Sequence, residues 1–287
     1  LSGGWVATGN PWTYDAERYE RISAARVAEQ QSMLDYETTA RCRMEFLQQA
    51  LDDETAVPCG RCDRCAGAWY PTGSETDAIT AAAASLDRVG VALEPRAQWP
   101  SGMDRLGVSV RGNIPVAERI QSGRALARLT DLGWGCTLRE LFVPGSPDAR
   151  ASPALISACV RVLADWDWED RPVAVVSLPS RRHPLLVASV AEGLAAAGEL
   201  PYLGALTLVG GGPSGEPGGN SAYRLAGVWQ RFTTSGLDLT AGLDLTGGPV
   251  LLVDDLADSR WTLTVAGREL RRAGAPAVLP FVLALRG

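Results

Sequence analysis

The sequence predicts an α/β protein in which a short, cysteine-rich helical region precedes a larger domain. After about residue 118, apolar strand-like runs alternate with helical segments, which is typical of a largely parallel sheet covered by helices. Four of the six cysteines fall between residues 42 and 65, behind a long helical pattern. The 287 residues, 46% hydrophobic and 21% charged, suffice for two modest domains with their own cores.

The first predicted element is a long helix over residues 14–34. Its sequence, "YDAERYERISAARVAEQQSML", carries a narrow apolar stripe among Arg and Glu and contains neither Gly nor Pro. A second helical stretch, residues 36–51, places Cys42 on its face. The segment "DDETAVPCGRCDRCAG" follows and brings three more cysteines.

The cysteines form the pattern C-x16-C-x2-C-x2-C, and the candidate metal ligands are Cys42, Cys59, Cys62 and Cys65. Two x2 spacings allow thiolates of one tight loop to reach a single tetrahedral ion, and the helix supplies the fourth ligand. In a chain without a signal-peptide pattern, such cysteines favour metal over disulfides. We therefore expect a closed, structural zinc site, with an iron–sulfur cluster or buried free thiols as alternatives.

These residues resemble a known family. The pattern "RCR…FLQQALDD…PCGRCDRC", with the long helix before it, is similar to the zinc-binding subdomain of RecQ-type DNA helicases. The resemblance covers about residues 14–67 and implies a zinc subdomain over residues 14–71 that supports the helicase core and helps to engage DNA. It also implies an ATP-driven, 3′ to 5′ motor N-terminal to this chain, with residues 1–13 as the tail of that motor.

DNA is the partner that this resemblance implies. Arg43, Arg61 and Arg64 surround the cysteines and are candidate contacts to DNA phosphates, because protein contacts to the DNA backbone commonly use Arg. The alternative is that these arginines balance nearby acids and the charge of the thiolates.

Residues 72–117 are predicted to be a connector, because they are rich in Pro, Gly and Arg and show no clear period. Arg96 and Trp99 are candidate nucleic-acid contacts, the first for phosphate and the second for base stacking. The alternative is a packed linker that Trp99 anchors to a neighbouring domain. A winged-helix pattern, often found after the zinc site in RecQ relatives, is not recognisable here.

Residues 118–287 are predicted to form the parallel sheet and its helices. The strand-like runs and the helical segments, in chain order, are residues 173–178 (strand), 184–198 (helix), 202–209 (strand), 249–255 (strand), 261–274 (helix) and 277–285 (strand). Because ligands of such sheets bind at the carboxyl ends of the strands, the acid pair Asp254 and Asp255 is placed where a site is expected.

The segment "VLLVDDLADSRWTLT", residues 250–264, resembles the phosphoribosyl pyrophosphate (PRPP) signature of type I phosphoribosyltransferases. The resemblance implies a type I phosphoribosyltransferase-like fold for this domain and a site for PRPP, or for phosphate, with magnesium. It assigns Asp254 and Asp255 to the ribose hydroxyls and Ser259 and Thr262 to the phosphate loop. Two residues depart from the family pattern, since Asp258 adds repulsive charge and Arg260 stands where the family has Gly.

The loop after the first of these strands, "PSRRHP", residues 179–184, would meet pyrophosphate in the same family, and Arg181 is its candidate anion ligand. The alternative is a solvated turn. The run "VGGGPSGEPGGNSA", residues 209–222, contains a formal G-x-G-x-x-G but does not open a helix, so a hood loop or a flexible linker is expected instead of a dinucleotide site.

Charge and hydropathy narrow the function classes. The net charge of −6 argues against a chain that coats nucleic acid over its whole surface, and the absence of Lys excludes a conventional P-loop. No run approaches the roughly 18 apolar residues needed to span a bilayer, so no membrane contact and a cytoplasmic, nucleoid-associated location are expected.

The joint resemblance implies the C-terminal region of an actinobacterial RecQ-like helicase. In that region the phosphoribosyltransferase-like domain is expected to be non-catalytic and to bind DNA, a nucleotide or a partner. An active phosphoribosyltransferase and a ligand-free scaffold for protein interactions are the alternatives.

Overall fold

The computed structural model describes residue 9 and residues 13–68, 70, 73, 75–86, 89–210, 219–239 and 245–286. The chain divides into two compact units, Leu1–Ile79 and Thr80–Gly287. Most of the predicted motor tail, residues 1–13, and most of the predicted hood loop lie outside the described residues. Among the helices described, none combines the length and the hydropathy needed to cross a bilayer.

The first unit is helical. Its helices are α1 (Ala16–Thr38), α2 (Arg43–Ala50) and α3 (Asp63–Ala66), and the division between the units falls within α4 (Thr76–Leu86). The Asp15 side chain begins α1 by accepting the Arg18 N–H at 3.0 Å. The predicted second helix begins later than expected, because the chain leaves the helical conformation between α1 and α2 and Cys42 becomes the N-cap of α2.

The second unit contains a six-stranded sheet with the order β1-β2-β8-β7-β3-β4. Only β1 runs antiparallel to its neighbour, so the predicted α/β class with a mainly parallel sheet is confirmed. The short strands β5 and β6 form a separate antiparallel pair. The strands are β1 (Val91–Leu93), β2 (Gly123–Arg128), β3 (Ala174–Ser177), β4 (Tyr202–Ala205), β5 (Thr207–Leu208), β6 (Phe232–Thr233), β7 (Val250–Ala257) and β8 (Val278–Leu285).

Helices cover both faces of this sheet. They are α5 (Trp134–Leu141), α6 (Pro153–Ala164), α7 (Pro184–Gly198), α8 (Ser221–Val228) and α9 (Trp261–Arg272). One hydrophobic cluster joins α5, α6 and α7 to one face, and a second joins α8 and α9 to the other. Along β7 the side chains alternate between the two clusters, since Leu251 belongs to the first and Leu252 to the second.

The central strand β8 contains a proline, which is unusual because Pro has no N–H for the ladder. Gly123 on β2 makes this possible. A Cβ atom at Gly123 would lie 2.2 Å from the Pro280 carbonyl oxygen and 2.5 Å from its ring. The absence of a side chain at Gly123 therefore allows β2 to pair beside Pro280.

The segment predicted to be a connector contributes to the core of the second unit. β1 pairs with β2, and the hydrophobic cluster that contains α9 also includes Trp99, Met103, Val108 and Ile114. This core is built from irregular loops closed by the bridge between Gln98 and Asn113. Irregular spacing of the buried residues explains why the segment shows no period in the sequence.

The direction of the chain reverses between β3 and β7. The chain leaves β3 through α7 to reach β4 on one side, whereas it leaves β7 through α9 to reach β8 on the other. Because α7 and α9 cover opposite faces, the loops after β3 and β7 separate at this edge of the sheet. In open α/β sheets ligands bind in the crevice at such a switch point.

Candidate functional site

The four predicted metal ligands lie together. The Sγ atoms of Cys42, Cys59, Cys62 and Cys65 are all within 4.8 Å of one another, and those of Cys42 and Cys62 are 3.9 Å apart. A tetrahedral zinc with Zn–S bonds of about 2.3 Å separates its sulfur ligands by roughly 3.8 Å. The cluster could therefore bind a metal ion, and its geometry and all-sulfur donor set are consistent with zinc.

Backbone N–H groups prepare these sulfurs for a cation. Hydrogen bonds from the N–H groups of Cys59 and Glu45 lower the pKa of the Cys42 thiol, and one from Arg43 lowers the pKa of Cys62 to about 6. A hydrogen bond from Gly60 lowers the pKa of Cys65, but its contacts with the thiols of Cys62 and Cys42, together with desolvation, raise that pKa overall to about 12. Adjacent thiolates repel, and a divalent cation compensates this repulsion.

The described residues of the first unit form almost no hydrophobic core. Among its described residues Cys42, at 6% exposure, is the one that is buried, and α1, α2 and α3 contain no buried residue. The apolar stripe predicted for α1 is exposed, as Tyr19 and Val27 illustrate. Units that bury so little apolar surface need another source of stability, such as a metal or disulfides, so the cysteine cluster is the feature that can hold this unit together.

The three arginines around the cysteines differ in what they contact. The Arg43 guanidinium donates to Asp63 Oδ1 at 2.8 Å and to the Tyr36 carbonyl at 2.6 Å, so it ties α2 to α3 and to the end of α1. Arg61 and Arg64 are exposed, although Arg64 lies 3.8 Å from Asp63. Of the three candidate DNA contacts, Arg61 and Arg64 keep their guanidinium groups toward solvent.

The switch point of the sheet brings the acid pair and the loop after β3 together. Ser180 Oγ donates to Asp255 Oδ2 at 2.7 Å and accepts the His183 N–H at 3.0 Å. Asp254, at 7% exposure, accepts the Asp255 N–H at 2.9 Å. Burial raises the pKa of Asp254 well above its usual range, and the charge of Asp255 raises it further. Arg181 stands on the same loop and is exposed.

The loop between β7 and α9 keeps a glycine-like backbone at the position where the sequence has Arg. Arg260 has φ +65° and is the N-cap of α9, without a side-chain capping hydrogen bond. The Arg backbone thus takes the left-handed conformation that Gly adopts most easily, which is strained for a residue with a side chain. The first turn of α9 presents N–H groups that have no intrahelical acceptor. Ser259 and Thr262, which flank Arg260, are both partly exposed.

Two arginine side chains lie against this loop. Arg96 Nε donates to the Ser259 carbonyl at 3.0 Å, and its guanidinium lies 5.0 Å from the centre of the Trp261 ring. Arg260 donates to the Glu94 carbonyl at 2.9 Å. Burial lowers the pKa of Arg96, and the charge of Arg260 lowers it further. The positive charges of Arg96 and Arg260 are therefore close enough to repel each other.

Asp258, predicted to repel phosphate, is paired. Its Oδ2 lies 2.9 Å from Arg224 Nη1, which balances its charge. Trp99 is 7% exposed and stacks on Trp261 at 6.1 Å, with Trp229 edge-on at 5.5 Å. The candidate role of Trp99 in base stacking therefore does not fit its position, whereas the alternative of a packed anchor does.

Sequence reasoning overlooked two contacts in this region. Ser180 lies in the loop "PSRRHP", and its hydroxyl group is the signal in the sequence that it can bond an acid across the switch point. Arg96 was expected to face nucleic acid, but it reaches a residue 163 positions away.

Comparisons with known proteins find no matching family model, no matching curated protein and no matching solved structure.

Proposed function

We propose that this chain is the C-terminal accessory region of a RecQ-like, ATP-dependent 3′–5′ DNA helicase that acts on the nucleoid in the cytoplasm. In this proposal the first unit, with its four-cysteine cluster, is a zinc-binding subdomain that supports the motor and engages DNA. The second unit is phosphoribosyltransferase-like and binds a phosphate-bearing ligand without catalysing a reaction.

One observation carries the helicase part of the proposal. Four cysteine sulfurs lie within 4.8 Å of one another in a helical unit whose described residues include no buried one besides Cys42. The spacing of these cysteines and the long helix before them are the features that resemble the RecQ zinc subdomain. A closed shell of four thiolates holds structure and leaves no open position for activating water.

The charges at the switch point support a phosphate-bearing ligand. Within the described residues neither Arg96 nor Arg260 has a carboxylate partner within 4.0 Å. Both lie at the N-terminus of α9, where the partial positive charge of the helix also attracts anions. A phosphate there would be stabilised by three sources of positive potential.

The same region argues against catalysis. Asp255 is held by Ser180, and Asp254 is buried with its pKa raised, so the acid pair is poorly disposed to hold ribose hydroxyls with magnesium. Arg260 stands at the turn at which the phosphoribosyltransferase family leaves the backbone bare, and its side chain donates to the Glu94 carbonyl. We therefore propose that the second unit binds a ligand without catalysing a reaction. Titration with PRPP would reveal an active phosphoribosyltransferase.

DNA binding is tested by fluorescence anisotropy of the zinc-loaded chain with forked and single-stranded DNA. Arg61→Gln/Arg64→Gln is expected to weaken binding and to reduce the slope of log affinity against log salt by about 1 to 2. Arg171→Gln/Arg272→Gln changes the net charge equally on exposed residues of the second unit and should leave affinity unchanged. Equal effects of both double variants would reject a specific DNA contact at the zinc unit.

Ligand binding is tested by calorimetric titration with inorganic phosphate and with PRPP plus magnesium. We expect binding of both that weakens about tenfold or more in Arg96→Gln, since a hydrogen bond to a charged group contributes about 1.5–3 kcal/mol. Consumption of PRPP would show a transferase instead. Absence of heat with every ligand would favour the ligand-free scaffold.

A further inference from the structure

A concave surface lies at the edge of the sheet opposite to the switch point, where the parallel strands begin. The C-terminal ends of α6 and α7 enclose a hollow of about 380 Å³, lined by apolar residues that include Val160, Leu163, Leu194 and Leu200. Two further hollows, of about 270 and 470 Å³, adjoin it along residues 166–171. The hollow between α6 and α7 shares Trp168 with the hollow of about 270 Å³ and Arg171 with the hollow of about 470 Å³. We call this surface, residues 165–171 with the hollow between α6 and α7, the acidic groove.

The acidic groove carries carboxylates that have no ion-pair partner among the described residues. Asp165, Asp167, Glu169 and Asp170 are exposed, and within the described part of the chain none has an ion-pair partner within 4.0 Å. The basic residues that line the hollows are Arg171 and Arg124, and Arg124 lies over the Trp166 ring. Negative charge therefore dominates this edge of the sheet.

The helix ends add to this potential. Asp165 is the C-cap of α6 and Glu199 is the C-cap of α7, and α7 has no basic residue in its last turn. The C-terminus of a helix carries a partial negative charge, so acids there are unfavourable and a cation is attracted. The last turn of α6 already contains Arg161, so a cationic partner would relieve this repulsion mainly at the end of α7.

The arrangement of the carboxylates selects the kind of cation. In the part of the chain that the structure describes, the cysteine cluster is the group that brings three or more metal-ligand atoms together, so these carboxylates do not converge on one ion. Nucleic acid would be repelled by the same charges. A row of separated carboxylates beside an apolar hollow fits separated positive charges on a peptide that also offers an apolar side chain.

We propose that the acidic groove docks a short basic segment of a partner protein. One aliphatic or aromatic side chain of that segment enters the hollow between α6 and α7, and its Arg or Lys side chains lie over the carboxylates of residues 165–170. The groove and the phosphate region lie at opposite edges of the sheet, so the groove is independent of the proposed helicase and phosphate-binding functions, and both sites can be occupied at once.

The test uses the whole chain and a fluorescein-labelled peptide of about nine alternating Arg and Leu residues. Binding is measured by the fluorescence anisotropy of the peptide at low salt. Ala197→Arg is the blocking variant, because Ala197 is exposed on the last turn of α7 and lines the hollow. The new side chain fills the hollow and places positive charge at a helix C-terminus, so the fold should keep its thermal stability. We expect binding by the parent chain and at least tenfold weaker binding by Ala197→Arg.

A charge variant separates the role of the acids from that of the hollow. Asp167→Asn/Glu169→Gln/Asp170→Asn should bind about tenfold more weakly, the loss expected for three exposed charge pairs. The matched control, Glu29→Gln/Glu37→Gln/Glu54→Gln, removes three exposed acids from the first unit and should bind like the parent.

Several results would overturn the proposal. These are no binding of the Arg–Leu peptide, equal binding of a peptide with Glu in place of Arg, and unchanged binding by Ala197→Arg. Labelled duplex DNA that binds the parent chain but not Ala197→Arg would assign the groove to nucleic acid. A dimer in sedimentation experiments that Ala197→Arg dissociates would assign it to a second copy of this chain.

Discussion

Cys42 offers the sharpest test of the metal site. Exchange of its sulfur for oxygen distinguishes a zinc-binding cluster from a cluster of ordinary thiols. As the N-cap of α2, Cys42 Sγ accepts the Glu45 N–H at 3.5 Å, and it also accepts the Cys59 N–H at 3.2 Å. In Cys42→Ser the hydroxyl keeps the capping role, for which Ser is among the preferred residues. The substitution therefore removes a sulfur ligand and leaves the local hydrogen bonds largely in place.

The two explanations predict different magnitudes. If the cysteines are ordinary thiols, Cys42→Ser should change the free energy of unfolding by less than about 1 kcal/mol. If they bind structural zinc, which contributes about 10–16 kcal/mol in isolated zinc modules, loss of one of four ligands should cost roughly 3 kcal/mol or more. That corresponds to at least about a hundredfold weaker zinc binding.

The assay combines zinc content, chelator competition and hydrogen exchange. The parent chain should hold one zinc ion, and chelation should remove exchange protection across residues 36–66, because the described part of the first unit has no other core. Cys136→Ser is the control, since Cys136 lies outside the cluster and should leave zinc binding unchanged. The reasoning fails if Cys42→Ser binds zinc as tightly as the parent, or if chelation leaves protection in this region unchanged.

Further substitutions test the sheet edge and the packing of the second unit. The pKa of Asp254 is higher in the folded protein than in the unfolded chain. The protonated Asp254 carboxyl therefore contributes to stability at pH values below the unfolded pKa, and this contribution is lost as the pH rises through the folded pKa. Asp254→Asn should therefore be more stable than the parent at neutral pH, with the gain shrinking toward about pH 4 in urea unfolding; a pH-independent difference would contradict this. Gly123→Ala should cost about 1–3 kcal/mol, because its Cβ would lie 2.2 Å from the Pro280 carbonyl oxygen. Gly227→Ala, inside α8 with no atom within 4 Å of the new Cβ, should gain up to about 1 kcal/mol, and the opposite order of the two melting temperatures would refute the packing argument.

The parts of the fold that the sequence predicted well are those with a local signal. α7 has the bounds predicted for it, residues 184–198, because a Pro at its first position and a Gly at its end mark both termini. The strands β3, β7 and β8 follow from short apolar runs between turns. The spacing of the cysteines likewise predicted that their sulfurs lie together.

The parts that the sequence could not predict depend on contacts between distant segments. The predicted strand over residues 202–209 divides into β4 and β5, which belong to different sheets, and no local pattern marks that division. The packing of Trp99 against Trp261 and the reach of Arg96 to Ser259 join segments more than 150 residues apart. The acidic groove arises only because α6 and α7 end side by side.

The sequence by itself determined the α/β class, the main strands and helices, and a cysteine cluster able to bind a metal, because periodicity, turn residues and ligand spacing act over a few residues. The tertiary structure decided which side chains share the switch point. There Ser180 bonds Asp255, Arg224 neutralises Asp258 and the Arg260 backbone takes a left-handed turn. These outcomes depend on the packing of strands and helices far apart in the chain, where burial and charge pairing, and not local preference, set the free energy.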